Sequence, residues 1–404
     1  MPKNKKPVPR KSSSAPQEDD EVLAQQLADL ALDIAEQEHL DDGDATAPSK
    51  EEEFARLMRN AFRKKNDELL YDAVERARYA DVGAYQYLRA QVEEAAATLM
   101  LRREGAPAME VNAFAVPLFV HSTGGLKEAE GFQDGDAFSA LVDSFVQAGL
   151  ESPKAKVVLI SHAYDPEEAS RITYTQLNDM ARDAAASMSD KKLVATPALE
   201  ASIVGWEASS FGPGDKAVEL RFLLGFALKR ADDPFYQAPP GEEAADIYFE
   251  DRMARYRAWT AQAAPLIKRC LGPDPAALEV HFLYQDLFFG AREQGMAELA
   301  MLQMMADINA ALLQHGADAG ALQALAGPAD IDGEMVLRVQ LRDAAGTVLA
   351  TSEKPLDLAA DLQGEVDDIC DALATLGIEQ VSVALKFGHD GVPLEVQPYQ
   401  ERRA

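Results

Sequence analysis

Val336-Leu337-Arg338-Val339-Gln340-Leu341, then Asp343-Ala344-Ala345-Gly346, then Val348-Leu349-Ala350-Thr351 reads as a strand, a turn and a returning strand. Leu337, Val339 and Leu341 alternate with their neighbours and so share one face, and the aspartate and glycine between the runs supply turn chemistry. Further on, Leu362 to Leu376 is apolar at helical spacing and stops at Gly377. Gln380 to Lys386 is a second strand, Gly388-His389-Asp390-Gly391 another turn, and Leu394 to Val396 a short last strand. A hairpin and a helical crossover within one stretch predict a mixed sheet, because tight turns join antiparallel strands and helical crossovers join parallel ones.

Strands and helices also alternate upstream. Val111 to Val120 is strand-like, with Pro117 pointing to an edge or a bulge because it has no N–H for a ladder bond. Asp136 to Leu150 reads as a helix, Lys156 to Ile160 as a buried strand, and Pro166 to Met188 as a helix capped by Asp165. Ala217 to Lys229 is a long strand, Glu242 to Cys270 a helix, Leu278 to Leu283 a strand and Phe288 to His315 a helix. Twice a short strand leads through an aspartate into a long helix, at Val157 to Asp165 and at Leu278 to Asp286. That order predicts two similar halves in a fold between α/β and α+β, with mixed sheets flanked by helices.

The N-terminal region differs in composition. A basic cluster (Lys3, Lys5, Lys6, Arg10, Lys11) passes through Ser12 to Ser14 into acidic Glu18 to Glu21, a stretch too polar to offset the cost of ordering, so a disordered tail is expected. Leu23, Leu27, Leu30 and Ile34 then recur on one helical face. Such a short helix needs a surface, and two readings stand: docking on its own body, or capture by a partner protein. Phe54, Leu57, Met58 and Phe62 open a run to residue 104 that reads as helical throughout. The expected organisation is a tail at 1–48 with a helix at 22–37, a helical segment at 49–106, a first α/β unit at 107–212 and a second at 213–404.

Bulk composition narrows the function classes. The 404 residues suit one large or two medium domains. Thirty-nine Lys and Arg against 68 Asp and Glu give a net charge of -29, which repels phosphate backbones and argues against nucleic acid. Two cysteines, Cys270 and Cys370, exclude a disulfide framework and a four-cysteine zinc site, and fit the reducing cytoplasm. No run reaches the roughly 20 consecutive apolar residues of a membrane span. Oligomeric state is not legible at this level.

Glycine-rich phosphate loops, G-x-G-x-x-G, H-E-x-x-H and G-x-S-x-G are all absent. No cofactor and no metal site is expected. Four weaker constellations remain. Ser161, His162, Tyr164 and Asp165 follow a strand, where open α/β sheets place ligands and a histidine can move protons; Asp165 is equally explained as a helix cap. His121-Ser122-Thr123-Gly124-Gly125 is either a plain turn or an anion nest. Asp232 to Glu243 is a long loop rich in aromatics and carboxylates, suited to an ordinary connection or a partner contact; its oxygens could meet a hard cation, but it lacks the spacing of a ligand loop. Met296, Met301, Met304 and Met305 crowd one helix, as core filling or a binding groove.

The C-terminal order of hairpin, helix ending in Leu376-Gly377-Ile378, strand Val381 to Phe387 and turn into Pro393-Leu394-Glu395 resembles a family of uncharacterised betaproteobacterial proteins, catalogued as a domain of unknown function. The likeness spans about residues 50 to 398 and concerns layout. It implies a bacterial cytoplasmic setting and a shared fold. The family pattern has cysteines in the last turn, where this chain has Gly388-His389-Asp390-Gly391, so no metal or redox role carries across. The resulting expectation is a non-catalytic interaction or regulatory protein that meets a partner through Leu23, Leu27, Leu30 and Ile34. Its rival is an enzyme whose site is assembled around Ser161, His162 and Asp165.

Overall fold

The computed structural model describes residues 15–39, 47–102, 104–122, 135–163, 172–189, 218–271, 274–316, 318–356 and 361–399. The chain divides into two compact units at Phe289/Gly290. Its architecture is α+β, with two sheets and flanking helices.

The first unit opens with four helices, α1 (Ala15–His39), α2 (Ala47–Lys64), α3 (Asp67–Ala80) and α4 (Val82–Ala97). Asn66 Oδ1 accepts from the Leu69 amide at 3.1 Å and Asp81 Oδ1 from the Ala84 amide at 2.9 Å, so each polar cap starts a helix by satisfying an orphan donor. Helix α1 packs on α2, α3 and α4. Leu27, Leu30 and Ile34 are buried there and Leu23 is half-buried. The apolar face read as a partner surface is thus covered by the chain's own helices, because burying it intramolecularly needs no second molecule.

The rest of the unit comprises β1 (Thr98–Leu101), β2 (Met109–Ser122), α5 (Gly135–Gln147), β3 (Lys156–Ala163), α6 (Tyr174–Ser189), β4 (Val218–Arg230), α7 (Glu242–Leu271), β5 (Leu278–Phe282) and β6 (Asp286–Leu287). The strand order is β1-β2-β4-β3, with β5 and β6 also pairing with β2, and every pair is antiparallel. One face carries Val116, Leu118, Leu223 and Leu159 against Phe145 and Trp259 of α5 and α7. Helices α4 and α6 pack on β2 from the other side of the first core. Burial on both faces explains why β4 is apolar almost without alternation.

Three expectations need correction here. The stretch read as helical to residue 104 ends at Ala97, and Thr98 to Leu101 pairs with β2, long-range pairing overriding local helical character. Helix α6 begins at Tyr174, with Thr173 Oγ1 accepting from the Gln176 amide, rather than at Pro166. The boundary expected at 212/213 cuts through one sheet, since β4 lies between β2 and β3. The two strands of the repeated strand-aspartate-helix order, β3 and β5, lie in the same sheet, where β3 pairs with β4 and β5 with β2.

The second unit is built from α8 (Phe288–His315), which continues out of the first, β7 (Gln323–Ile331), β8 (Glu334–Arg342), β9 (Val348–Pro355), α9 (Leu362–Thr375), β10 (Gln380–Phe387) and β11 (Pro393–Pro398). Its order is β11-β10-β7-β8-β9, with β10 parallel to β7 and the other pairs antiparallel, the mixed sheet that the hairpin and crossover imply. Met304 and Ile308 of α8 join Leu337, Val339, Leu341, Ile369 and Leu373 in one core, with Met301 and Met305 packed against it, so the methionines fill space. Among the described residues α8 is the one helix whose length and composition would allow it to cross a membrane.

Candidate functional site

The site begins at a proline. In β2, Pro117 pairs with Phe222 of β4 on one side. On the other side its carbonyl accepts from the Leu283 amide at 2.9 Å, so the nitrogen that lacks a hydrogen faces the same way. Here the ladder along β2 is interrupted: β5 covers Leu118 to Ser122 and β6 covers Phe114 and Ala115. Pro117 therefore lies in a central strand, at a local gap instead of the edge or bulge expected of it. Leu283, Tyr284 and Gln285 leave the ladder across this gap. Tyr256 of α7 donates from its hydroxyl to the Leu283 carbonyl, and Gln285 Nε2 donates to the Leu150 carbonyl at 3.2 Å.

The released segment walls a cleft of about 420 Å³ at the end of the sheet where β2 begins and β4 finishes. Glu110, Asn112 and Phe114 come from β2, Lys229 from β4, Tyr248, Phe249 and Arg252 from α7, and Tyr284 to Leu287 from the segment after β5. Asp233 and Tyr236 also line it, from the loop between β4 and α7. That loop is the Asp232 to Glu243 stretch singled out in the sequence. It turns tightly because Asp233 Oδ1 accepts from the Phe235 amide at 3.0 Å and caps a 3-10 turn at Pro234–Tyr236.

One buried ion pair organises the floor. Lys229 Nζ lies 3.5 Å from Glu151 Oε1, with both side chains almost wholly buried, and 4.1 Å from the centre of the Tyr236 ring. Tyr236 donates from its hydroxyl to Glu151 Oε2 at 2.5 Å, and the Ser152 amide donates to Glu151 Oε1 at 2.9 Å. Tyr236 keeps 44% of its surface exposed, yet its hydroxyl end sits on a buried carboxylate. Burial first, and then the Glu151 charge, push its phenol well above the ordinary range, so it stays protonated and donates to that carboxylate.

Four consecutive residues are held by five different groups. Arg255 donates to the Gly149 carbonyl at 3.2 Å, Gln285 to the Leu150 carbonyl, and Glu151 meets Lys229 and Tyr236. Ser152 Oγ donates to Asp233 Oδ2 at 2.7 Å. Arg252 is spread over the rings of Phe235 and Tyr236, at 4.9 and 4.7 Å, and donates to the Tyr248 hydroxyl at 3.2 Å. Burial works against its charge, but the hydrogen bond with Tyr284 and the neighbouring hydroxyls outweigh that and hold its pKa above the ordinary value.

Not every polar atom is satisfied. Gln285 is 7% exposed, and its Oε1 is buried with no hydrogen-bond partner among the described residues. Asn112 Oδ1 is in the same condition, while its Nδ2 donates to Thr98 Oγ1 at 3.2 Å. The Gln285 assignment is forced: its other end meets a carbonyl, which only an N–H can serve. An unpaired buried oxygen costs about 1–3 kcal/mol, a cost that a donor reaching Gln285 would offset.

The sequence-level candidates fall elsewhere. Ser161 and His162 lie in β3, opposite Leu223 and Phe222, and Asp165 with Tyr164 is outside the described residues. His162 thus pairs seven residues along β4 from Lys229, roughly 23 Å at strand rise, so the structure does not bring it to the cleft. His281 of β5 is 70% exposed in its side chain and lies 3.8 Å from Glu279, on the surface. His121 is half-exposed at the end of β2, and Thr123 to Gly125 are outside the described residues. Among the described residues no three His, Cys, Asp or Glu side chains gather in a way that would hold a metal. Glu110, Glu151, Lys229, Arg252 and Gln285 carried no signal in sequence, for they share no spacing. Against family models, curated proteins and solved structures the chain finds no match.

Proposed function

We propose that this chain is a non-catalytic, regulatory protein of the cytoplasm that binds a small molecule in the cleft between β2, α7 and the segment after β5. The observation that carries the reading is Gln285 Oε1, a buried acceptor in the cleft wall with nothing to accept from among the described residues. The lining groups favour holding over transforming. Lys229 and Glu151 neutralise one another, Tyr236 is held far from ionisation, and no histidine, serine or cysteine joins the carboxylates Glu110 and Asp286 in the described lining. A ligand that engages Gln285 also reaches residues 149–152, because Gln285 is one of the groups that hold them. Two buried cysteines without a disulfide fit a reducing compartment.

Thermal unfolding of the full chain across a broad set of small cations, anions and neutral molecules tests the reading. A ligand at 100 times its Kd adds about 2.7 kcal/mol, enough to raise the midpoint by several degrees. A set in which nothing moves the midpoint, or turnover of a molecule that does, removes it.

A further inference from the structure

We infer that the cleft selects a small organic cation carrying N–H donors, such as an amidinium, a guanidinium or a primary ammonium. The inference rests on the cleft being a binding site, and it follows from which of its groups are already engaged.

The lining holds four carboxylates, Glu110, Glu151, Asp233 and Asp286, against two cations, Lys229 and Arg252. Both cations are in use. Lys229 faces Glu151 and the Tyr236 ring, and Arg252 lies over Phe235 and Tyr236. Two of the carboxylates are in use as well, Glu151 by the network beneath it and Asp233 by Ser152 and the Phe235 amide. Glu110 and Asp286 make no ion pair among the described residues, and Asp286 accepts only from the Leu287 amide. What is left over for a ligand is therefore negative charge and acceptor oxygen.

The unpartnered amide oxygen of Gln285 points the same way. Its other end meets the Leu150 carbonyl, so Oε1 can only accept, and an occupant that reaches it has to bring hydrogens on nitrogen or oxygen. The aromatic residues Tyr284 and Phe249 add faces on which a delocalised cation gains further attraction. An anion would meet Arg252, but within a site where carboxylates outnumber cations, and it would leave Gln285 Oε1 unserved.

Benzamidine, benzamide and benzoate share one shape and differ in charge, which makes them suitable probes. Each is titrated into the full chain by calorimetry up to about 10 mM, a range that reaches millimolar Kd values. The expected order is benzamidine tightest, benzamide weaker and benzoate weakest. Glu110→Gln and Gln285→Met are each expected to weaken benzamidine about tenfold, as loss of one hydrogen bond to a charged group does, with benzamide less affected by the first. Because Gln285 also ties down Leu150, the half-buried Glu110→Gln serves as the variant that leaves folding intact, checked by its melting curve. Benzoate or benzamide binding as tightly as benzamidine overturns the cation inference while the binding-protein reading stands. No binding of any of the three overturns the inference too, and the broad thermal set then decides the wider reading separately.

Discussion

Phe114 of β2 lies against Gly225 of β4 so closely that a Cβ on that glycine would come within 2.1 Å of the ring's Cζ. The two are directly opposed in the antiparallel register, and Phe114 stacks on Phe145 at 5.3 Å between ring centres. The same ring lines the cleft. Gly225→Ala is expected to push it off its stack at a cost of about 1–3 kcal/mol, the usual range for overpacking a core. Urea midpoints of the wild type and the variant measure this, and Phe114→Leu combined with Gly225→Ala should recover part of the loss.

The Lys229 and Glu151 pair should behave as a buried couple rather than a surface salt bridge. Removing one partner, as in Lys229→Met or Glu151→Leu, leaves the other charge buried and is expected to cost about 3–5 kcal/mol. The double variant should lie much closer to the wild type than either single change. A double-mutant cycle in denaturant that returns additive losses would show the two charges to be independent.

Cys370 supplies a pH dependence. Burial, and then the neighbouring Asp367 and Asp371, push its thiol up to about 12 from an ordinary 9.0. The folded state therefore keeps the proton where the unfolded state has lost it. This contribution to stability is complete below pH 9 and declines as pH rises from there toward about 12. Cys370→Ala should show a shallower decline than the wild type over that interval. Both thiols are buried, so iodoacetamide at pH 8 should modify neither until the chain unfolds.

The second unit has its own core, and that core includes Met304 and Ile308 of α8. A fragment of residues 290–404 is expected to unfold cooperatively by itself. A fragment beginning at residue 317 loses those two side chains and should be molten or insoluble, each buried apolar residue being worth about 1.5–3 kcal/mol. Circular dichroism melts of the two fragments provide the comparison.

Much of the fold was legible, and the exceptions have particular causes. The hairpin Glu334 to Pro355 and helix α8 stand close to where alternation and periodicity put them. Strand β7, central to the second sheet, was missed because Gly327-Pro328 reads as a chain breaker. Both residues are tolerated for reasons outside the strand. A Cβ at Gly327 would lie 2.6 Å from the Ala384 carbonyl oxygen, and the parallel pairing with β10 stops at Ala326, before the proline needs a donor. Of the cleft, only the Asp232 to Glu243 loop stood out. Glu110, Glu151, Lys229, Arg252 and Gln285 look like ordinary surface residues when read alone.

The sequence by itself determined the class of this protein, because helical and strand periods, caps and turns depend on neighbours a few residues away. The expectation at Pro117 belongs to this level, since a missing N–H is a property of one residue. The tertiary structure decided the rest: that α1 folds back on α3 and α4, that β4 comes between β2 and β3, and that the gap opposite Pro117 releases Tyr284 and Gln285 into a cleft. The physical reason is that burial and hydrogen-bond satisfaction depend on groups far apart in the chain. Leu150 and Gln285 meet only in the folded molecule, and the oxygen left over from that meeting is the feature on which the functional proposal depends.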